Sequence, residues 1–131
     1  MKKKKLKEKG IDTKVWMNDH NFNLWPKVLW QLNEYPELRE YCDGVAFHYY
    51  EGAPEDIENV RNVSPNLEYH FTEGGPRLYD NYATDWCKWG IMMSKALKQG
   101  CTTFTGWNLM LDEVGGPNIG PFFCGGLATR N

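Results

Sequence analysis

Two hydrophobic rhythms alternate along this chain. Short aromatic and β-branched runs of strand character are each followed by segments whose apolar positions recur at helical spacing. Lys2 to Lys9 predicts the exposed end of a helix, stopped by Gly10. Thr13-Lys14-Val15-Trp16-Met17 predicts a first strand, closed by Asn18-Asp19-His20-Asn21. Pro26 opens a helix through Val28, Leu29 and Leu32, and Pro36 starts a shorter piece through Leu38 and Tyr41. Gly44-Val45-Ala46-Phe47 is the second strand, ending in His48-Tyr49-Tyr50, and Pro54-Glu55-Asp56 opens a helix carrying Ile57 and Val60. Leu67-Glu68-Tyr69-His70-Phe71 leads as a third strand into Thr72-Glu73, where Gly74-Gly75-Pro76 ends it. A longer helix then carries Trp86, Trp89, Met93, Ala96 and Leu97 on one face, expected to be core packing, and Gly100 closes it. Cys101 to Gly106 is the fourth strand, with Trp107-Asn108 at its end. The glycines at 115–116 and 125–126 mark a closing loop.

The strand ends fall at Asp19, His48, Glu73 and Trp107, separated by 29, 25 and 34 residues. Each interval is the length of one βα unit. Four such units in tandem predict an α/β fold with parallel strands and right-handed crossovers. They amount to half of an eight-stranded (β/α)8 TIM barrel, which typically takes roughly 250 residues. The 131 residues therefore read as a single domain, 1–131, shaped as a partial barrel. Polar and aromatic groups gather at the C-terminal end of every strand, the edge at which parallel α/β folds bind ligands.

Composition changes this picture little. A net charge of −2 argues against nucleic acid as a partner. Aromatic residues make up 15% of the chain and include six tryptophans, which suits stacking on sugar faces and a plain core equally. No run approaches the about 18 apolar residues of a membrane span. The basic start, Met1 followed by four lysines, has no apolar segment after it, so no signal peptide is expected in this chain. Cys42, Cys87, Cys101 and Cys124 form no CxxC pair and have no histidine at zinc-finger spacing. Buried free thiols are the first expectation and disulfides the alternative, with no metal and no cofactor.

The candidate chemistry centres on Glu73. A lone strand-end glutamate is ordinarily a solvated acid, but this one stands in line with Asp19, His48 and Trp107. Rigid backbone ending in a glycine turn would present it to whatever fills the cleft above the sheet.

Four motifs in order resemble the successive strand motifs of glycoside hydrolase family 30, the glucosylceramidases and related β-glycosidases and glycanases. They are Trp16-Met-Asn-Asp-His-Asn21, Asp43-Gly-Val-Ala-Phe-His-Tyr49, Phe71-Thr-Glu-Gly74 and Gly106-Trp-Asn-Leu-Met-Leu-Asp112. Gly115-Gly-Pro-Asn118 is similar to the loop after that family's eighth strand, so the likeness runs from about Gly10 to Leu127. It implies that these are strands five to eight, the C-terminal half of a catalytic barrel whose β-sandwich domain this chain does not contain. It further implies retaining hydrolysis of a β-linked glycoside or oligosaccharide, with Glu73 at the position of the nucleophile. His48 and Tyr49 match the pair lining the sugar site, Asp19 the polar end of strand five, and Trp107 and Asn108 the sugar platform and its polar neighbour. Full-length members are often secreted or lysosomal.

The motif carrying the general acid/base, on strand four, has no counterpart here. Retaining hydrolysis needs two carboxyl groups about 5–5.5 Å apart. Of the other acids, Asp19 is expected to orient sugar hydroxyls, whereas Glu51, Asp112 and Glu113 read as loop acids. Loss of acid/base help costs about 10²–10⁴-fold, so slow turnover by the chain alone is expected. A half barrel also has two open sheet edges and an uncovered inner face, which a missing N-terminal half or a second copy would cover. Two other readings stay open on the residues alone. One is a sugar-binding remnant of the same barrel, the other an interaction protein in which Glu73 is a surface acid.

Overall fold

Four strands follow one another through the sheet in sequence order. The computed structural model describes residues 2–77, 82–117 and 124–130. Strands β1 (Trp16–Asn21), β2 (Gly44–His48), β3 (Glu68–Glu73) and β4 (Cys101–Phe104) form one sheet in the order β1-β2-β3-β4, every pair parallel. The helices are α1 (Lys2–Glu8), α2 (Trp25–Glu34), α3 (Leu38–Tyr41), α4 (Ile57–Val63) and α5 (Tyr82–Lys98), with 3₁₀ turns at Phe22–Leu24 and Pro54–Asp56. This is the parallel α/β arrangement that the tandem βα pattern implies.

The period-2 alternation of the strands sorts their side chains. Val45, Phe47, Tyr69 and Phe71 point to one face, where Val28 and Leu32 of α2, Ile57 and Val60 of α4, and Ala96 of α5 close over them. Phe71 stacks on Phe104 with centroids 4.1 Å apart and an interplanar angle of 7°. The other face carries Trp16, Ala46, His70 and Thr72. There the Trp16 ring lies on His70 at 3.7 Å.

The structure departs from the expected elements in five places. β1 begins at Trp16, not Thr13; just before it the Val15 N–H donates to the Asp43 carboxylate and the Val15 carbonyl accepts from the Asp43 N–H, each at 2.8 Å. β1 then runs through Asn21 with Asn18 and Asp19 at φ 73° and 49°, and its register against β2 shifts between Asn18 and His20. The Asn18 amide spans this bulge, donating to the carbonyls of Ala46 and His20 at 3.1 Å each. On α5, Trp89, Met92 and Ala96 face the core, whereas Met93 and Leu97 are about half exposed. The helix packs at the sheet's β4 edge, and no described element covers its far flank; the Trp86 side chain lies outside the described part. All four cysteines are free, but only Cys101 is buried; Cys42 and Cys124 are half-buried and Cys87 is exposed. Finally, the stretch read as a closing loop contains β5 (Met110–Asp112) and β6 (Ala128–Arg130), paired in parallel, with Leu111 buried. Asn118 of that stretch is outside the described residues.

Candidate active site

Glu73 is the last residue of β3, in register with His48 at the end of β2. A register shift just before this pair brings two residues of β3 against one of β2, which turns Glu73 toward the mouth of the sheet. The Gly74-Gly75 step lets the end of β4 come in beside it. Trp107 N–H donates to the Gly74 carbonyl at 2.8 Å, and any Cβ on Gly75 would collide with the Trp107 carbonyl. Trp107, joined to Asn108 by a cis peptide, is thereby fixed next to Glu73 with 47% of its surface exposed.

The Glu73 carboxylate is held from β2. The Tyr50 hydroxyl donates to Oε1 at 3.1 Å, and His48 Nε2 lies 3.8 Å from Oε2. Burial, then the Glu73 charge and this hydrogen bond, raise the Tyr50 pKa far above the ordinary phenol value. Tyr50 therefore stays protonated and remains a donor across the physiological range. The guanidinium of Arg77 sits over its ring, 5.0 Å from the centroid. His48 Nε2 is also 3.1 Å from Asp19 Oδ1, so one ring nitrogen stands between two carboxylates. Asp19 accepts a second bond from the Thr72 hydroxyl at 2.8 Å. Partial burial works against the Asp19 charge, but the bonds from Thr72 and His48 outweigh it and hold the carboxyl below its usual range. Asp19 is thus an ionised acceptor, unsuited to deliver a proton at neutral pH.

Asp19, Thr72, Glu73 and Trp107 line an open cleft of about 610 Å³ that continues over Ala46 and Trp16 to Lys14 and Thr13. Asn108 is half-buried and anchored through its carbonyl to Leu127 N–H at 2.9 Å, so it stands in the loop behind Trp107. Tyr49 goes elsewhere: its ring packs near Trp89 and Phe71 at 5.4 and 6.4 Å, and its hydroxyl donates to the Gly75 carbonyl at 3.0 Å. The phenol that reaches Glu73 is Tyr50. Strand alternation carries the signal, since Tyr50 lies two residues from His48 and Tyr49 only one. The same spacing from His70 picks out Thr72.

Of the three loop acids, Glu113 is exposed and the other two are bonded away from Glu73. Glu51 accepts from the Asn23 amide at 2.7 Å, and Asp112 accepts from Val114 and Gly116 N–H at 3.0 and 2.5 Å. Among the described residues no group of three His, Cys, Asp or Glu side chains is placed to hold a metal, and no helix is long and apolar enough to cross a membrane.

Four parallel strands in sequence order with helices packed on one face make a segment of an α/β barrel. The solved structures agree. SrfJ from Salmonella typhimurium superposes with a TM-score of 0.82 at 24% identity over 95% of this chain and 29% of its own. The endo-beta1,6-glucanase BT3312 does so with 0.81 at 26% identity, over 95% of this chain and 30% of its own. In sequence the chain is 30% identical over 125 residues to "Putative glucosylceramidase 3" of Caenorhabditis elegans, which covers 87% of this chain and 24% of that protein. No family model matches. Over most of its length the chain is a homologue of the glucosylceramidases of glycoside hydrolase family 30. It spans about a quarter of the curated relative and under a third of the matching barrels.

Proposed function

We propose that this chain carries the nucleophile half of a retaining β-glycosidase, acting on a β-linked glucoside or related glycan, with Glu73 as the nucleophile. The observation that carries the reading is the Glu73 carboxylate, held by Tyr50 at 3.1 Å and opening onto a cleft walled by Trp107. In the reaction a Glu73 oxygen attacks the anomeric carbon as the bond to the leaving oxygen breaks, giving a glycosyl ester with the side chain. Water then attacks the same carbon, freeing the sugar and restoring the carboxylate. Tyr50 orients the nucleophile and balances part of its charge. Trp107 gives a flat face for a sugar ring, and Asp19 is an acceptor for sugar hydroxyls.

Protonation of a poor leaving group needs a second carboxyl that the described cleft does not provide, because Asp19 is kept ionised by Thr72 and His48. That same observation favours a second reading, a sugar-binding site without turnover. A 2,4-dinitrophenyl β-glucoside separates the two, since its leaving group needs no proton. The expected result is a burst of about one equivalent of dinitrophenolate per folded chain, with azide releasing the β-configured glucosyl azide. No burst from a folded chain that still binds the glucoside, with binding unchanged in Glu73→Gln, would favour the second reading.

A further inference from the structure

We infer that Arg77 is a positioning residue for the Glu73 site: its guanidinium braces the Tyr50 ring at the angle from which the phenol reaches the carboxylate. The contact stands on geometry alone; its effect on the reaction rests on the glycosidase reading of Glu73. Strand β2 ends at His48, so Tyr50 belongs to the bend that follows, beyond the strand ladder. Its orientation must come from side-chain contacts. The hydroxyl donates to Glu73 Oε1 at 3.1 Å, which restrains only the tip of the side chain. His48 meets the ring edge-on with centroids 6.3 Å apart, and Tyr49 lies tilted against it at 5.1 Å. Both neighbours sit on the same short segment and would move with it. Arg77 comes from a different strand end, and its guanidinium carbon stands 5.0 Å from the centroid of the Tyr50 ring. A cation over a ring face is attracted by the ring's quadrupole, more strongly where, as here, both side chains are partly buried.

Arg77 is itself held in place. It follows Gly74-Gly75-Pro76, all three buried, and pairs as an isolated antiparallel bridge with Cys124. The Gly125 N–H donates to the Pro76 carbonyl at 2.7 Å and pins the same turn. The segment that carries the carboxylate thus also carries the cation that braces its donor: Glu73 meets Tyr50 at the hydroxyl, Arg77 at the ring face. Lys88 is the matched contrast. Its ammonium lies 5.6 Å from the centroid of the neighbouring Tyr49 ring, but that hydroxyl goes to the Gly75 carbonyl at 3.0 Å. A cation there supports packing and no donor to Glu73.

The test compares Arg77→Met, which keeps the apolar bulk and loses the charge, with Arg77→Lys, which keeps the charge, in the 131-residue chain. If Arg77→Met lacks a folded far-UV spectrum, Arg77→Gln takes its place. At saturating 2,4-dinitrophenyl β-glucoside, Arg77→Met should slow the dinitrophenolate burst by about 3–30-fold, with the half-saturating concentration changed less than about twofold. Arg77→Lys should recover part of the loss, and Lys88→Met should leave the rate near that of the unsubstituted chain. In the Tyr50→Phe chain, Arg77→Met should slow the residual burst by less than about twofold, because the donor it braces is gone. A second readout needs no turnover. With tyrosines labelled with ¹³C at Cζ, the Tyr50 resonance is the one that disappears in Tyr50→Phe. Glu73→Gln should shift it in the unsubstituted chain, and that response should shrink by at least about half in Arg77→Met. An unchanged burst in Arg77→Met, an equal loss in the Tyr50→Phe chain or in Lys88→Met, no recovery in Arg77→Lys, a loss seen only as weaker binding, or an undiminished Glu73→Gln response would overturn the positioning role. An unsubstituted chain that folds but gives no burst contradicts the nucleophile reading instead, and the Tyr50 resonance then judges Arg77 by itself.

Discussion

The two faces of one sheet differ in kind. Alternate residues of β2 and β3 go to opposite sides, yet Val45, Phe47, Tyr69 and Phe71 meet a continuous apolar layer, whereas Ala46 and Thr72 meet an open cleft and His70 lies beneath the Trp16 ring. The outer face accounts for folding, since apolar burial is the main favourable contribution. The inner face carries groups whose value lies in position. Thr72 and His48 fix Asp19, Tyr50 fixes Glu73, and Trp16 covers a histidine whose second nitrogen faces Glu68 at 3.4 Å. Stability and chemistry are thus separated by a one-residue step along the same strands.

Neighbouring residues on β3 expose this contrast most sharply. Phe71→Ala removes a fully buried ring stacked on Phe104 and should cost about 3–5 kcal/mol, enough to unfold much of the sample in urea titration. Thr72→Ala, one residue on, should cost about 1 kcal/mol or less, because it removes hydroxyl bonds on a partly exposed face. Equal losses at the two positions would erase the distinction between the faces.

Tyr50→Phe tests the inner face by function. It deletes a hydrogen bond to a charged group, a contribution of about 1.5–3 kcal/mol, so the dinitrophenolate burst should slow by about 10–150-fold with the melting temperature little changed. Tyr49→Phe should leave the burst rate near that of the unsubstituted chain, because its hydroxyl goes to the Gly75 carbonyl.

A smaller effect is expected at His70. Burial holds its pKa below the ordinary 6.5, with the Glu68 carboxylate pulling the other way. The unfolded chain therefore takes up this proton more readily than the folded one. The stability contribution is complete above pH 6.5 and is lost as pH falls through that value toward the folded pKa. Melting temperature should decline from pH 7.5 to 5, and His70→Gln should flatten the decline. The smallest change belongs to the exposed Lys95–Glu55 pair at 2.9 Å, where Lys95→Ala should alter stability by about 0.5 kcal/mol or less.

The fold was legible because its signals are local. Apolar runs ending in polar residues marked each strand, and Pro26, Pro54 and Gly100 marked helix ends within a residue or two of where they fall. Glu73, His48, Asp19 and Trp107 could be grouped because parallel topology brings every strand's C-terminal end to one edge. The left-handed turn at Asn18-Asp19, which aims Asp19 at Thr72 and His48, depends on side-chain bonds to another strand and leaves no mark in the local pattern. The pairing of β5 with β6 was hidden likewise, since three-residue strands separated by a long loop carry no period of their own. Tyr50 was missed for a different reason, because two adjacent tyrosines differ only in phase.

The role proposed for Glu73 turns on whether its carboxylate forms a glycosyl ester. The direct measurement is intact mass after incubation with 2,4-dinitrophenyl 2-deoxy-2-fluoro-β-glucoside, followed by peptide mapping. The account predicts one added fluoroglucosyl group per chain, mapping to Glu73 and missing in Glu73→Gln. A folded chain that gains no mass, or gains it at another residue, would contradict the account.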